Sequence, residues 1–127
     1  MFMLKLTDSL IGSVTGGAVI GLDGGIWATT PGFYGNPLEF AAIAMAFTPG
    51  SDAPYHGIVF QNELYVVTSM TDSVIVAQKS NHNLVAAKCN KCVVVGYHED
   101  QASFNKCYDA VIRLAEMLKE KTIDDFV

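Results

Sequence analysis

Arginine is almost missing from this chain. Its 127 residues hold one, Arg113, and the eight Lys+Arg face thirteen Asp+Glu, for a net charge of −5. A bidentate arginine clamp on several phosphates is therefore excluded, and a nucleic-acid footprint of clustered cations is not expected. Long apolar runs are absent too. The longest, Phe40–Phe47, has eight residues, against the roughly 20 needed to span a bilayer. The apolar N-terminus is broken by Asp8, with no small-residue cleavage site after a long apolar segment. The chain reads as cytoplasmic. Cysteine is scarce and odd in number (Cys89, Cys92, Cys107), which fits reduced thiols better than a disulfide framework. There is no internal repeat, no Walker spacing and no dinucleotide fingerprint among the glycines.

What is present is apolar: 50% of residues are hydrophobic and 17% charged. That composition excludes disorder. The length suits one domain over residues 1–127 with one real core. Charge is uneven. Residues 1–70 carry one Lys, and the other seven cations lie between Lys79 and Lys121.

Periodicity predicts a helix over Phe2–Ile11, stopped at Gly12. Gly17–Leu22 and Ile26–Thr30 flank Asp23-Gly24, a strong hairpin signal. Asn36-Pro37-Leu38-Glu39 predicts a capped helix from Pro37 to Phe47, with Glu39 reaching back to the cap. This helix is apolar nearly all round and is expected to be largely buried. Thr48–Pro54 reads as a loop. Short Val-rich strands are expected at His56–Phe60, Leu64–Ser69, Ser73–Gln78, Leu84–Lys88 and Cys92–Tyr97, then a helix over Ser103–Lys121. The order makes an α+β domain on a central antiparallel sheet.

Candidate chemistry is thin. Cys89-Asn90-Lys91-Cys92 matches C-x-x-C, but it joins two strands instead of opening a helix, and no second Cys/His pair completes a zinc site. These cysteines read as inert hairpin thiols. Cys107, with His98 and Asp100, has the types of a nucleophile pair, yet it falls on the apolar stripe of the last helix. The acidic pairs Glu99-Asp100 and Asp124-Asp125 read as solvated ends. Trp27, the only Trp, is either a core aromatic or an exposed stacking surface suited to a polyproline II ligand. No enzyme, cofactor or metal is expected.

Thr7-Asp8-Ser9-Leu10-Ile11-Gly12, Ala18-Val19-Ile20-Gly21-Leu22-Asp23-Gly24, Trp27-Ala28-Thr29 and Pro31-Gly32-Phe33 resemble profilin. The similarity continues through Gly57-Ile58, the Val-rich hairpins and a last helix holding Cys107 and Arg113-Leu114-Ala115-Glu116. The resemblance implies a central antiparallel sheet, with N- and C-terminal helices on one face and further helix on the other. It implies a monomeric, cytoskeleton-associated protein that binds monomeric actin and regulates its polymerisation, with a second groove for proline-rich, formin-like partners.

Carried over by position, the groove falls on Met3, Leu6, Trp27, Met117 and Ile123. Only Trp27 keeps the family's aromatic, so proline binding is expected to be weakened. The actin face falls on Lys79, Lys88, Lys91, Asn105, Lys106 and Asp109. Glu63 and Thr68 stand where the family usually has basic residues, and Ala77 is neutral, which implies a weaker or differently charged actin contact. Phosphoinositide binding is disfavoured by the net charge. The alternative is a profilin-shaped or roadblock-like interaction module that no longer binds actin.

Overall fold

A computed structural model describes residues 6–119. Seven strands form one sheet: β1 (Gly16–Gly21), β2 (Ile26–Thr29), β3 (Ile58–Phe60), β4 (Glu63–Met70), β5 (Val74–Lys79), β6 (His82–Lys88) and β7 (Cys92–His98). Their spatial order is β2-β1-β7-β6-β5-β4-β3, with every neighbouring pair antiparallel. Three α-helices accompany them: α1 (Pro37–Met45), α2 (Ala53–His56) and α3 (Phe104–Lys119).

The sheet separates two apolar layers. On one face Ile20, Tyr65, Ile75, Leu84 and Val95 pack with Phe40, Ile43 and Phe47 of the α1 region and Ala53 of α2. On the other, Val19, Val85, Ala87 and Val94 pack with Leu10 and with Cys107, Val111, Leu114 and Leu118 of α3. Alternation along β1, β6 and β7 feeds both layers. Strands covered on both sides read as apolar runs, and β1 is buried throughout. Gly96 lets α3 settle close: a Cβ there would lie 2.6 Å from Val111 Cγ2.

Four local expectations change. The described part of the N-terminal segment is a 3₁₀ turn at Asp8–Leu10; residues 2–5 of the expected Phe2–Ile11 helix lie outside the described residues. Thr7 Oγ1 donates to the Thr29 carbonyl (3.1 Å), tying this turn to β2 instead of capping a longer helix. Pro54 sits in the first turn of α2 and so belongs to a helix, not a loop. α1 is not largely buried: Leu38 is 81% and Met45 66% exposed. The helix lies on the sheet as an outer layer, and composition cannot cover a side that nothing packs against.

The fourth change concerns Glu39. Asn36 caps α1 as expected, accepting from Leu38 N at 2.9 Å. Glu39 does not reach back to that cap. Its carboxylate accepts from the backbone N–H of Gln61 (2.7 Å) and Asn62 (2.9 Å) at the β3–β4 turn. Both turn residues have left-handed backbones (φ 53° and 62°), and a charge-assisted pair of bonds holds them there. Glu39→Ala is expected to cost about 1–2 kcal/mol and to speed hydrogen exchange at the Gln61 and Asn62 amides. Unchanged exchange would show that the turn holds its own shape.

Candidate functional site

The helical cover on the α3 side is incomplete. α3 packs on β7 and β6 and touches the N-terminal turn, which leaves the far end of the sheet bare. Ile58, Phe60 and Tyr65 point into the α1 layer, so alternation turns Val59, Leu64 and Val66 to the α3 side. There they are exposed, Leu64 by 53% and Val66 by 62%. Thr68 continues the row, and Gln78, opposite Val66 in register, borders it. The start of α3 forms the other wall. Gln78 Nε2 donates to Gln101 Oε1 at 2.6 Å. Asp100 accepts from Ala102 N (3.0 Å), anchoring that corner; it is a cap and not merely a solvated end. The result is an open apolar strip with an amide rim, offered by strands whose opposite face is firmly packed.

The residues carried over for actin do not form one cluster. Phe104 and Tyr108 share one flank of α3, their ring centroids 5.7 Å apart, whereas Asn105 stands on its outer side, one turn before Asp109. Lys79 closes β5 at the same end of the sheet and is spent on Glu63, Nζ to carboxylate 2.7 Å. Hydrogen bonding and charge from Lys79 hold the Glu63 carboxyl below its usual range. Lys88 closes β6 at its other end, about 20 Å away over six residues, and Lys91 sits in the adjoining turn. Lys106 and Asp109 lie on the opposite flank of α3, lining a hollow with Ser9, Ser13 and Arg113. Leu64, Val66 and Val59 escaped the sequence reading. The one signal for them was the uninterrupted apolar character of a segment that ends up at a sheet margin.

Three of the five groove positions fall within the described residues. Leu6 is 3% exposed and forms floor, not surface. Trp27 is half-buried against the α3 layer, its indole beside Gly21. Met117 is 48% exposed and shares the α3 flank of Lys106 and Arg113, the side that faces the N-terminal turn. Met3 and Ile123 lie outside the described residues.

The cysteines correct one expectation. Cys89 and Cys92 form a disulfide with Cα atoms 5.2 Å apart. The two-residue turn places them opposite one another, within bridging reach, and an odd cysteine count does not prevent it. Asn90, within that turn, donates to the Lys119 carbonyl at 2.9 Å. Cys107 is free and buried, and burial pushes its thiol up to about 12. A thiol so placed stays protonated and unreactive at neutral pH. His98 Nδ1 accepts from the Asp100 N–H (3.0 Å), so it is occupied locally. Among the described residues there is no group of three or more His, Cys, Asp or Glu that could hold a metal ion, and no helix is long and apolar enough to cross a membrane.

A seven-stranded antiparallel sheet, with terminal elements on one face, two helices on the other and an open apolar strip, defines a protein-binding module. The profilin family model matches residues 4–123, and the chain belongs to the profilin family. Profilin-2 of Acanthamoeba castellanii is 29% identical over 107 residues, covering 84% of this chain and 85% of that protein. The crystal structure of profilin II from the same organism superposes with a TM-score of 0.83 at 26% identity, covering 92% and 96% of the two chains. Mouse profilin IIa, solved in complex with a double repeat from the FH1 domain of mDia1, shares the fold (TM-score 0.68, 14% identity, 89% and 93% covered). Profilins are non-enzymatic actin-binding proteins of the cytoskeleton that regulate actin assembly.

Proposed function

We propose that this protein, a single domain acting as a monomer in the cytoplasm, binds monomeric actin through the open strip and limits its polymerisation. The observation that carries the reading is the bare row Leu64–Val66 beside the start of α3. It is apolar at its centre and amide-rimmed at its edge, the anatomy of a specific protein interface. The Gln78–Gln101 and Lys79–Glu63 pairs border the contact, and Asn105 stands further out on α3. Lys106 and Asp109 on the far flank, and Lys88 and Lys91 at the far end, contribute little. Because Glu63 neutralises Lys79, the contact depends on apolar fit more than on charge. Titrating monomeric actin with the protein tests this. Dose-dependent lengthening of the assembly lag and sequestration at micromolar protein are expected. No effect on actin would favour the interaction-module alternative.

The second site is a weakened groove for proline-rich segments between the N-terminal turn, Trp27 and Met117. Its support is a half-buried indole on β2 that packs into the α3-side layer and an exposed methionine on α3. Met is adaptable but supplies no aromatic stacking face. Trp27→Ala is expected to reduce proline-peptide affinity at least tenfold, read by fluorescence anisotropy of a labelled polyproline peptide, and to leave actin sequestration unchanged. Peptide binding that survives this change would rule the groove out. Phosphoinositides are not included, because the cations are scattered over separate surfaces of a chain with net charge −5.

A further inference from the structure

Four residues stand in register across the sheet on the α3 side: Val66, Gln78, Asn83 and His98. The row starts at the centre of the open strip and ends at the corner where β7 gives way to α3. That corner is tied to one imidazole. His98 Nδ1 accepts from the Asp100 N–H at 3.0 Å, so the neutral ring carries its hydrogen on Nε2. Asp100 in turn holds the 3₁₀ turn Gln101–Ser103 that leads into α3. Its Oδ1 accepts from Ala102 N (3.0 Å) and its carbonyl accepts from Ser103 N (3.0 Å). Gln101, inside this turn, accepts from Gln78 Nε2 and so forms the amide rim of the strip. One titratable ring thus stands at the head of a chain of bonds that ends at the proposed contact surface.

A proton on Nδ1 removes that acceptor and sets two donors, the ring N–H and the Asp100 N–H, against each other. From β6 the cross-strand neighbour is Asn83, uncharged and buried, whose Nδ2 is a further donor without a partner. His82 and Tyr97 alternate to the other face of the sheet. From the segment before β1, Thr15 Oγ1 is taken by the Glu99 N–H at 3.1 Å. From α3, Cys107 packs over Gly96 as a neutral thiol, Tyr108 stands beside Phe104, and Lys106 lies on the flank toward Ser9 and Ser13. The anions at the corner are the adjoining Glu99 and Asp100 carboxylates. A charged imidazole is attracted to both, and the Asp100 carboxylate is the one that caps the turn.

We propose that His98 is a pH switch for the open strip. A solvent proton taken up on Nδ1 breaks the bond to the Asp100 N–H, draws the Asp100 carboxylate from Ala102 N toward the imidazolium, and withdraws Gln101 from the rim. That the strip's ligand is actin rests on the reading above, so the switch is tested first without actin. The isotope-labelled protein is titrated by NMR between about pH 8 and pH 5, the range in which imidazoles change charge. The amides of Asp100, Ala102 and Ser103 and the Gln78 side-chain amide are expected to move with the same midpoint as the His98 ring. In H98N the asparagine Oδ1 replaces Nδ1 as acceptor without titrating, and these movements should vanish. Actin affinity is then compared as the ratio of wild type to H98N at each pH, which cancels the titration of actin itself. The two should agree within about twofold at pH 8, and wild type should become about fivefold weaker than H98N as pH falls through the His98 midpoint, the worth of one hydrogen bond. Amides that do not follow the His98 ring, or the same acid response in H98N, would overturn the proposal. A loss in H98N already at pH 8 would make His98 a direct contact and overturn it equally. If the amides follow His98 but neither protein binds actin at any pH, the switch stands and the actin reading falls.

Discussion

Gly24→Ala is expected to destabilise the fold by about 2–5 kcal/mol. Two costs combine. Gly24 has φ +89°, a left-handed backbone that costs an L-residue about 1–2 kcal/mol. The added methyl would also meet Ala41 Cα at 2.5 Å and Ala41 N at 2.6 Å. Those atoms belong to the α1 backbone and cannot swing aside, so overpacking adds about 1–3 kcal/mol. The measurement is urea unfolding, with a lower midpoint at unchanged slope. Gly50→Ala is the control. Gly50 has φ +83° but nothing within 4 Å of an added Cβ, so it carries the backbone cost alone. Equal losses at the two positions would show that the contact between the β1–β2 turn and α1 bears no load. The consequence reaches function, because this turn positions β2 and with it Trp27.

The second large effect is on binding. Val66→Glu is expected to lower actin affinity at least thirtyfold, equivalent to about 2 kcal/mol, with a folding cost below about 1 kcal/mol. Val66 sits at the middle of the bare strip and is 62% exposed, so the fold loses little apolar burial. In the complex the carboxylate would be desolvated without a partner. Lys91→Ala, at the distant end of the sheet, should change affinity less than about twofold. If Lys91→Ala weakens actin binding and Val66→Glu does not, the contact lies at the β6–β7 turn and the assignment to the strip is wrong. Unfolding midpoints of both variants separate binding from stability.

Much of the architecture is legible in the chain. The Asp23-Gly24 hairpin, the Asn36 cap, the Val-rich strands and the apolar stripe of the last helix all rest on interactions within a few residues, where propensity and spacing act directly. The N-terminal motif string and Trp27 pointed to the family for the same reason. Glu39 shows where this fails. Its spacing from Asn36 suits a capping box, yet its partners are amides 22 and 23 residues away. Local pattern cannot rank a near partner against a distant one, because the distant one exists only after β3 and β4 have folded against α1.

The sites divide in the same way. Composition and patterning determined an acidic α+β domain, with seven of its eight cations in the second half and one tryptophan on a short strand. Tertiary structure decided which apolar residues stay uncovered. Leu64 and Val66 are no more polar than Leu84 and Val85, yet α3 covers the middle of the sheet and stops short of β4. It also decided that Lys79 and Lys88, nine positions apart, stand at opposite ends of a hairpin, and that Phe104 and Lys106, two positions apart, face different flanks of one helix. Burial is a property of what packs against a residue, and a surface exists only where packing ends.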